Sequence, residues 1–530
     1  MKHCRVPITS ALLLLPLLGG CNAHPLERVC YQHYGEDTTS VSMDSRRKVD
    51  ILFVIDDSGS MGEEQGALAE NFGVLVEQLE QLEVDADYRI GITTTQSANP
   101  HCQTGGDEVG VLRLRSCWSH LDDFVFGGTD RRDEACRQAC PEALAELLPL
   151  PSALEEGGSL VARPWLERSR GGTNVPEGVT GAQALACWGP QGIAGCGYES
   201  PLEAMLAALE RSDDDGDPAA GFLRDDALLQ VVIITDEADC STTLAGAAAF
   251  DPDGSRALWP DPGADQAPSA VCWAAGVACQ SLPEGRIGCE PADVDLAGQP
   301  TTPEGAVLHP LSRYVELLDR IDAHKRQVMK VDEPQVLLSV IAGVPPGWAG
   351  EALDYQPGDD AGFLANFGVG AGCRSDKGEA VPPVRLLAMA DAFADEPGTN
   401  LFSICDGDYR PALQSIATRL IEQLSRPTCI DTGDAGSRLV VDGRATHCIV
   451  EQRVGQERRA VPTCTREGEG WALPEGESLC SYAVVDEQVH PTCAANDQVV
   501  ELRYLQAPEA EFGVVEVTCE TDPGLGCGGA

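Results

Sequence analysis

The apolar positions of this chain gather into a few short, nearly unbroken runs. Residues 51–55 (ILFVI), 88–95 (YRIGITTT), 228–236 (LLQVVIITD), 335–344 (QVLLSVIAGV) and 400–405 (NLFSIC) each read as a strand. Runs that do not alternate with polar residues are the pattern of strands buried on both faces, as in a sheet covered by helices. Helical patterns lie between them. Residues 63–82 are rich in Glu and Leu, a second helix begins near 201, and 411–424 carries Leu413, Ile416, Leu420, Ile421 and Leu424 on one stripe. Near the amino terminus, residues 8–18 form an apolar run too short to span a bilayer, and no later stretch has 18 unbroken apolar residues.

From about 428 the texture changes. Short runs at 437–441, 447–451, 499–505 and 512–517 alternate between turn residues, and seven cysteines are spread through them. This predicts a small, disulfide-braced β-rich module over 428–530. Two stretches rich in Pro, Gly and Cys, about 97–195 and 240–310, follow strand ends and read as insertions. Asp213-Asp214-Asp215-Gly216-Asp217 lacks EF-hand spacing and reads as a solvated acidic turn.

Composition narrows the function. The chain has 530 residues, 43% of them hydrophobic and 23% charged, with a net charge of −47 and a pI near 4.3. So acidic a chain repels nucleic acid and anionic lipid and suits divalent cations or cationic partners. The 22 cysteines contain no CxxC pair, so zinc-ribbon spacing is absent and disulfides in an oxidising compartment are expected.

The export signal agrees. Lys2 and Arg5 precede the apolar run, which ends in Leu18-Gly19-Gly20-Cys21. This resembles the bacterial lipobox. The resemblance implies a signal peptide over 1–20, lipidation at Cys21, a tether over 21–46 and a lipid-anchored place in the cell envelope. With Asn22 rather than Asp after the cysteine, the outer membrane of a Gram-negative bacterium is the expected location.

Candidate chemistry sits after the first buried run, where Asp56-Asp57-Ser58-Gly59-Ser60 separates strand from helix. Carboxyl ends of strands are where α/β sheets place ligands. Asp56, Ser58 and Ser60 offer one charged and two neutral oxygens at alternate turn positions, a donor set for Mg²⁺, Mn²⁺ or Ca²⁺ rather than zinc. This strand–loop–helix resembles the von Willebrand factor type A (vWA) family, whose metal-ion-dependent adhesion site carries DxSxS. The resemblance spans roughly 47–427, with the two insertions. It implies a Rossmann-like α/β domain with a mostly parallel central sheet, Asp236 as a distal metal-site aspartate, and Mg²⁺ as the first choice of ion. The family supplies a threonine from a second loop. Thr173, in Gly171-Gly172-Thr173-Asn174, lies 63 residues before Asp236, whereas Glu199 lies 37 before it. One helix and a loop fit the shorter spacing, so Glu199 or Ser200 is preferred in that loop and Thr173 is the lesser candidate. A glutamate there would tighten the metal and weaken its pull on a ligand carboxylate.

No GxSxG, HExxH or Walker loop occurs, and a chain without enzymatic activity is expected. The resemblance implies instead a metal-dependent adhesion module that binds an acidic side chain of a protein partner, with the membrane met only through the lipid. An envelope structural or assembly lipoprotein, its metal serving stability alone, is the alternative.

Overall fold

The structure is a computed structural model. It describes residues 35–42, most of 48–424, and strands between 428 and 521. Residues 1–34, 43–47, 81–85, 103–107, 155–157, 170–171, 284–285, 425–427, 431–439, 486–492, 494–499, 508–513 and 522–530, with some single or paired positions, lie outside the described residues. The signal run and Cys21 fall among these.

The main body is built on a seven-stranded sheet. Its strands are β1 (Lys48–Ile55), β2 (Asp87–Thr94), β3 (Trp165–Ser169), β4 (Gly172–Thr173), β5 (Leu228–Ile234), β6 (Val336–Ala342) and β7 (Leu401–Ser403). Their order is β7-β6-β5-β1-β2-β3-β4. The first five are parallel; β3 and β4 are antiparallel additions at one edge. The sheet is therefore mixed α/β and mostly parallel, as expected.

Among the described residues eight α-helices accompany it: α1 (Gly62–Leu79), α2 (Gly181–Trp188), α3 (Pro201–Ser212), α4 (Ala270–Gly276), α5 (Leu311–Met329), α6 (Ala361–Phe367), α7 (Val384–Ala392) and α8 (Arg410–Leu424). Strands apolar on successive positions need cover on both faces. Ile51, Phe53 and Ile55 of β1 pack with Phe72 and Leu75 of α1, Leu185 of α2 and Leu413 and Ile416 of α8. Leu52 and Val54 pack on the other side with Met205 of α3, Leu318 of α5 and Met389 of α7. The helix after β1 thus covers one face, and α5, which lies between β5 and β6, covers the other. Strand order reverses between β1 and β5, so a crevice opens between their carboxyl ends, where doubly wound sheets bind ligands.

Charge at the amino end of the sheet is structural. Buried Asp50 holds Arg224 at 2.8 Å, and Arg224 also meets Asp87 at 2.6 Å. The acidic stretch 213–217 is a surface turn: Gly216 N donates to Asp214 Oδ1 at 2.9 Å and Arg211 pairs with Asp217 at 2.6 Å.

Two stretches carry more regular structure than the pattern predicts. Stretch 97–195 contributes β3, β4 and α2 to the main body, so only part of it is inserted decoration. Its short strands escape the pattern because they are edge additions, exposed at Ser169, Gly172 and Thr173. Within the expected tether, Gly35–Ser42 forms a strand antiparallel to Val514–Thr521. GEDTTSVS has no apolar alternation; its order comes from pairing, which composition does not announce. Beyond 428 the chain is β-rich, with a four-stranded sheet ordered Gly35–Ser42, Val514–Thr521, Cys448–Val454, Glu457–Ala460. A three-stranded sheet and the Cys429–Cys493 and Cys464–Cys480 bridges accompany it. Among the described residues no helix is long and apolar enough to cross a membrane.

Candidate metal centre

Asp56 begins where β1 ends, and Asp236 lies two residues past β5. Ile55 and Ile234 are register partners, and Asp56 N still donates to Ile234 O at 2.9 Å. Parallel pairing of two adjacent strands therefore delivers both aspartates to one crevice. Ser58 N donates to Asp56 Oδ1 at 2.7 Å, which folds the turn back on its own carboxylate. That brings the Ser58 and Ser60 hydroxyls to 3.1 Å from each other. The Ser60 hydroxyl also bonds the Asp236 carboxylate, closing a ring of Asp56, Ser58, Ser60 and Asp236. Of these four side chains only Ser60 is exposed.

Neighbours that the motif does not mention hold this ring. Thr235 Oγ1 donates to Asp56 Oδ2 at 2.5 Å. The Gln65 side chain, from the first turns of α1, donates to Asp56 O at 2.7 Å and to Gly192 O at 2.7 Å. Its Oε1 accepts from Gln191 N at 2.8 Å, so one amide ties three segments together.

The second loop runs from Gly192 to Ser200. Glu199 is buried; Thr95 Oγ1, just past β2, donates to its Oε2, and its own carbonyl accepts from Cys240 N at 2.7 Å. Ser200 is turned aside, its hydroxyl bonding Cys240 O and Ser97 Oγ, both at 2.9 Å. Thr173 stands elsewhere. It pairs with Arg168, which pairs with Tyr88 near the amino end of β2, and its hydroxyl donates to Glu167 O at 3.0 Å. That is the end of the sheet opposite Asp56. Of the three second-loop candidates, Glu199 is the one whose side chain feels the charges of Asp56 and Asp57.

The electrostatics are those of several carboxyls buried together. Asp56, Asp57, Glu199, Asp236 and Glu237 are all buried. Burial raises the Asp56 carboxyl against the hydrogen bonds from Thr235 and Ser58. Burial, then the Asp56 charge, lifts Asp57 to about 7 and Asp236 well above the ordinary range. Glu199 and Glu237 rise for the same two reasons in the same order. Asp236 Oδ1 and Glu199 Oε1 are buried with no hydrogen-bond partner among the described residues. Buried carboxylate oxygens without donors are costly and call for a counter-charge. Oxygen donors alone, two of them hydroxyls, fit a hard divalent cation. Among the described residues no three His, Cys, Asp or Glu side chains converge as a ready-made cage, so the serine hydroxyls would have to complete the shell.

Sequence reasoning missed Asp57, Thr95, Thr235, Glu237 and Gln65. Adjacency to the motif and to Asp236 marked Asp57, Thr235 and Glu237; nothing local marked Gln65 or Thr95.

Both insertions crown this face. The Phe126 ring lies against Gly59, where a Cβ would meet its Cδ1 at 2.4 Å, and Arg131 pairs with Glu63 at 2.8 Å. From the second insertion, Ser269 Oγ donates to Gly197 O at 2.7 Å and Ala267 O accepts from Tyr198. Disulfides Cys102–Cys196 and Cys240–Cys272 flank the second loop.

No protein-family model matches the chain, and no curated protein matches its sequence. Among solved structures, it is similar to proximal thread matrix protein 1 of the mussel byssus, at 8% identity and TM-score 0.25, over 74% of this chain and 51% of that one. The pilus adhesin SpaC of Lactobacillus rhamnosus GG, in its open conformation, is similar at 10% identity and TM-score 0.28, over 91% and 40%. A von Willebrand factor type A protein of Catenulispora acidiphila is similar at 10% identity and TM-score 0.25, over 94% and 68%. The chain spans about half the length of the first of these and less of the second.

Proposed function

We propose that this chain is a vWA-type binding module that holds a divalent cation at Asp56, Ser58, Ser60 and Asp236 and engages a protein partner there. The observation that carries the reading is the ring joining these four side chains at the carboxyl ends of β1 and β5, with buried carboxylate oxygens lacking donors. Asp56 and Asp236 would supply charge, Ser58 and Ser60 neutral oxygens, and Mg²⁺ is the ion of first choice, ahead of Mn²⁺ or Ca²⁺. The ion would supply an open position for an acidic side chain of the partner. Exposure of Ser60 gives that position its access. The lipobox-like leader supports an envelope location through lipid at Cys21, in the outer membrane, and the acidic surface argues against nucleic acid.

One observation favours a second reading. Glu199 is buried among the same carboxylates and would add a third charge to the ion. An ion so held would serve as an internal staple in an envelope assembly lipoprotein.

Thermal unfolding in chelator and then in Mg²⁺, Mn²⁺ or Ca²⁺ tests both. Binding to the folded state alone must raise the melting temperature. A rise that Asp56→Ala and Asp236→Asn remove supports the metal site; no rise with any ion overturns it. Glu199→Ala separates the readings. Partner capture that depends on metal and survives this change favours adhesion; capture indifferent to chelator favours the staple.

A further inference from the structure

One disulfide differs from the others the structure describes. Cys279 and Cys289 stand directly opposite each other in an antiparallel two-stranded ribbon, Val277–Ser281 against Ile287–Pro291. Among the described bridges, Cys279 is the one exposed cysteine. Cys117–Cys136, Cys140–Cys187, Cys240–Cys272 and Cys373–Cys405 are buried at both ends. The Cys279–Cys289 separation of 10 residues is also the shortest of these, against 94 for Cys102–Cys196. A short loop loses little entropy on closure, so its bridge adds little to stability and opens at little cost. Exposure gives an attacking thiolate access to the bridge, and exposed bridges are the labile ones.

What the ribbon covers gives its bridge a consequence. Val277, Ile287 and Cys289 pack on an apolar cluster that includes Trp273, Tyr355 and Val381. Tyr355 N donates to Ile287 O at 3.1 Å, which ties the ribbon to that cluster through the backbone as well. The same cluster mounts the turn after β5. Val381 N donates to Asp236 O at 2.7 Å, and Ala238 packs against the cluster. It is a satellite of the two larger cores that cover the sheet, so fewer neighbours hold it.

We propose that Cys279–Cys289 is a thiol-exchange site, opened selectively by an external dithiol, and that its opening loosens the Asp236 turn. A thiolate of the dithiol attacks Cys279 Sγ, a mixed disulfide forms, and Cys289 leaves as a thiolate. The reductant's second thiolate then attacks its partner sulfur in the mixed disulfide and releases Cys279. Two electrons and two protons pass to the pair of cysteines, and the dithiol ends as a disulfide. The ribbon keeps its ladder bonds but loses the cross-link that holds Cys289 against the cluster. The step needs no metal and does not rest on the metal reading.

The test is limiting reduction of the full chain in detergent and chelator by dithiothreitol, without denaturant. Free thiols are blocked with iodoacetamide at timed intervals and located by mass spectrometry. Cys279 and Cys289 should be labelled at least about tenfold faster than the cysteines of any other bridge, with half-buried Cys102–Cys196 as the internal comparison. Labelling of Cys102 and Cys196 at an equal or greater rate would overturn the selectivity. Hydrogen exchange then reads the consequence. With Cys279→Ser and Cys289→Ser together, exchange at Val381 N should speed up by about tenfold or more. Asp56 N, which donates to Ile234 O at 2.9 Å, should exchange as before. Unchanged exchange at Val381 N would overturn the coupling, and equal acceleration at Asp56 N would replace it with general loosening. If the double variant does not fold, the same exchange is measured on the native chain after limiting reduction and blocking.

Discussion

The side chain of Gln65 carries the carbonyl of Asp56: Nε2 donates to it at 2.7 Å while Oε1 accepts from Gln191 N at 2.8 Å. A single buried amide therefore sets the height of the Asp56–Ser60 loop against α1 and the second loop. Gln65→Leu would leave two carbonyls and two amide N–H groups without that partner. Loss of about 3 kcal/mol of stability is expected, read from the denaturant midpoint at unchanged slope. A loss below about 0.5 kcal/mol would show that water replaces the amide.

Two glycines near the loop are constrained to different degrees. A Cβ at Gly66 would lie 2.3 Å from the Glu134 carbonyl oxygen, which is backbone inside the segment stapled by Cys117–Cys136. At Gly59 the obstacle is the ring of Phe126, half exposed and free to swing away. Gly66→Ala should cost about 2–3 kcal/mol, in the range of overpacked sites, and Gly59→Ala less than about 1. Equal losses would mean that the Phe126 hairpin is as rigid as the stapled segment.

Disulfides hold the second loop in place. Cys102–Cys196 closes a separation of 94 residues and ends three residues before Glu199. Removing it with Cys102→Ser and Cys196→Ser should lower stability by about 4–5 kcal/mol on the chain-entropy account. Hydrogen exchange should speed up at Ser200 N, which donates to Thr95 O at 2.8 Å. Unchanged exchange there would assign the loop's order to Cys240–Cys272 and the second insertion instead.

His120 gives a pH signature. Its ring is buried against Phe124, with both nitrogens lacking hydrogen-bond partners among the described residues. Burial, then the charges of Arg115 and Arg113, push its pKa down to about 3. An unfolded chain takes up a proton near pH 6.5, whereas the folded one does so only near 3. Stability from this residue is therefore complete above about 6.5 and is lost as pH falls toward 3. Between pH 7 and pH 5, His120→Phe should lose about 2 kcal/mol less stability than the native chain. Parallel curves for the two proteins would contradict this.

What the sequence determined by itself was whatever physics acts locally. Unbroken apolar runs such as 51–55 and 228–234 needed cover on two faces, which made them central parallel strands. The Asp56–Ser60 turn between a strand and a helix placed oxygen donors at a strand end, and the spacing to Asp236 set Glu199 or Ser200, ahead of Thr173, as the expectation for the second loop. Tertiary structure decided what depends on distant partners. Gly35–Ser42 is ordered by pairing with Val514–Thr521, and β3 and β4 by an edge that β2 leaves open. Gln65 and Thr95 reach the site only because α1 and the end of β2 converge there. Local pattern encodes burial and turn chemistry; only packing brings together charges that lie more than a hundred residues apart.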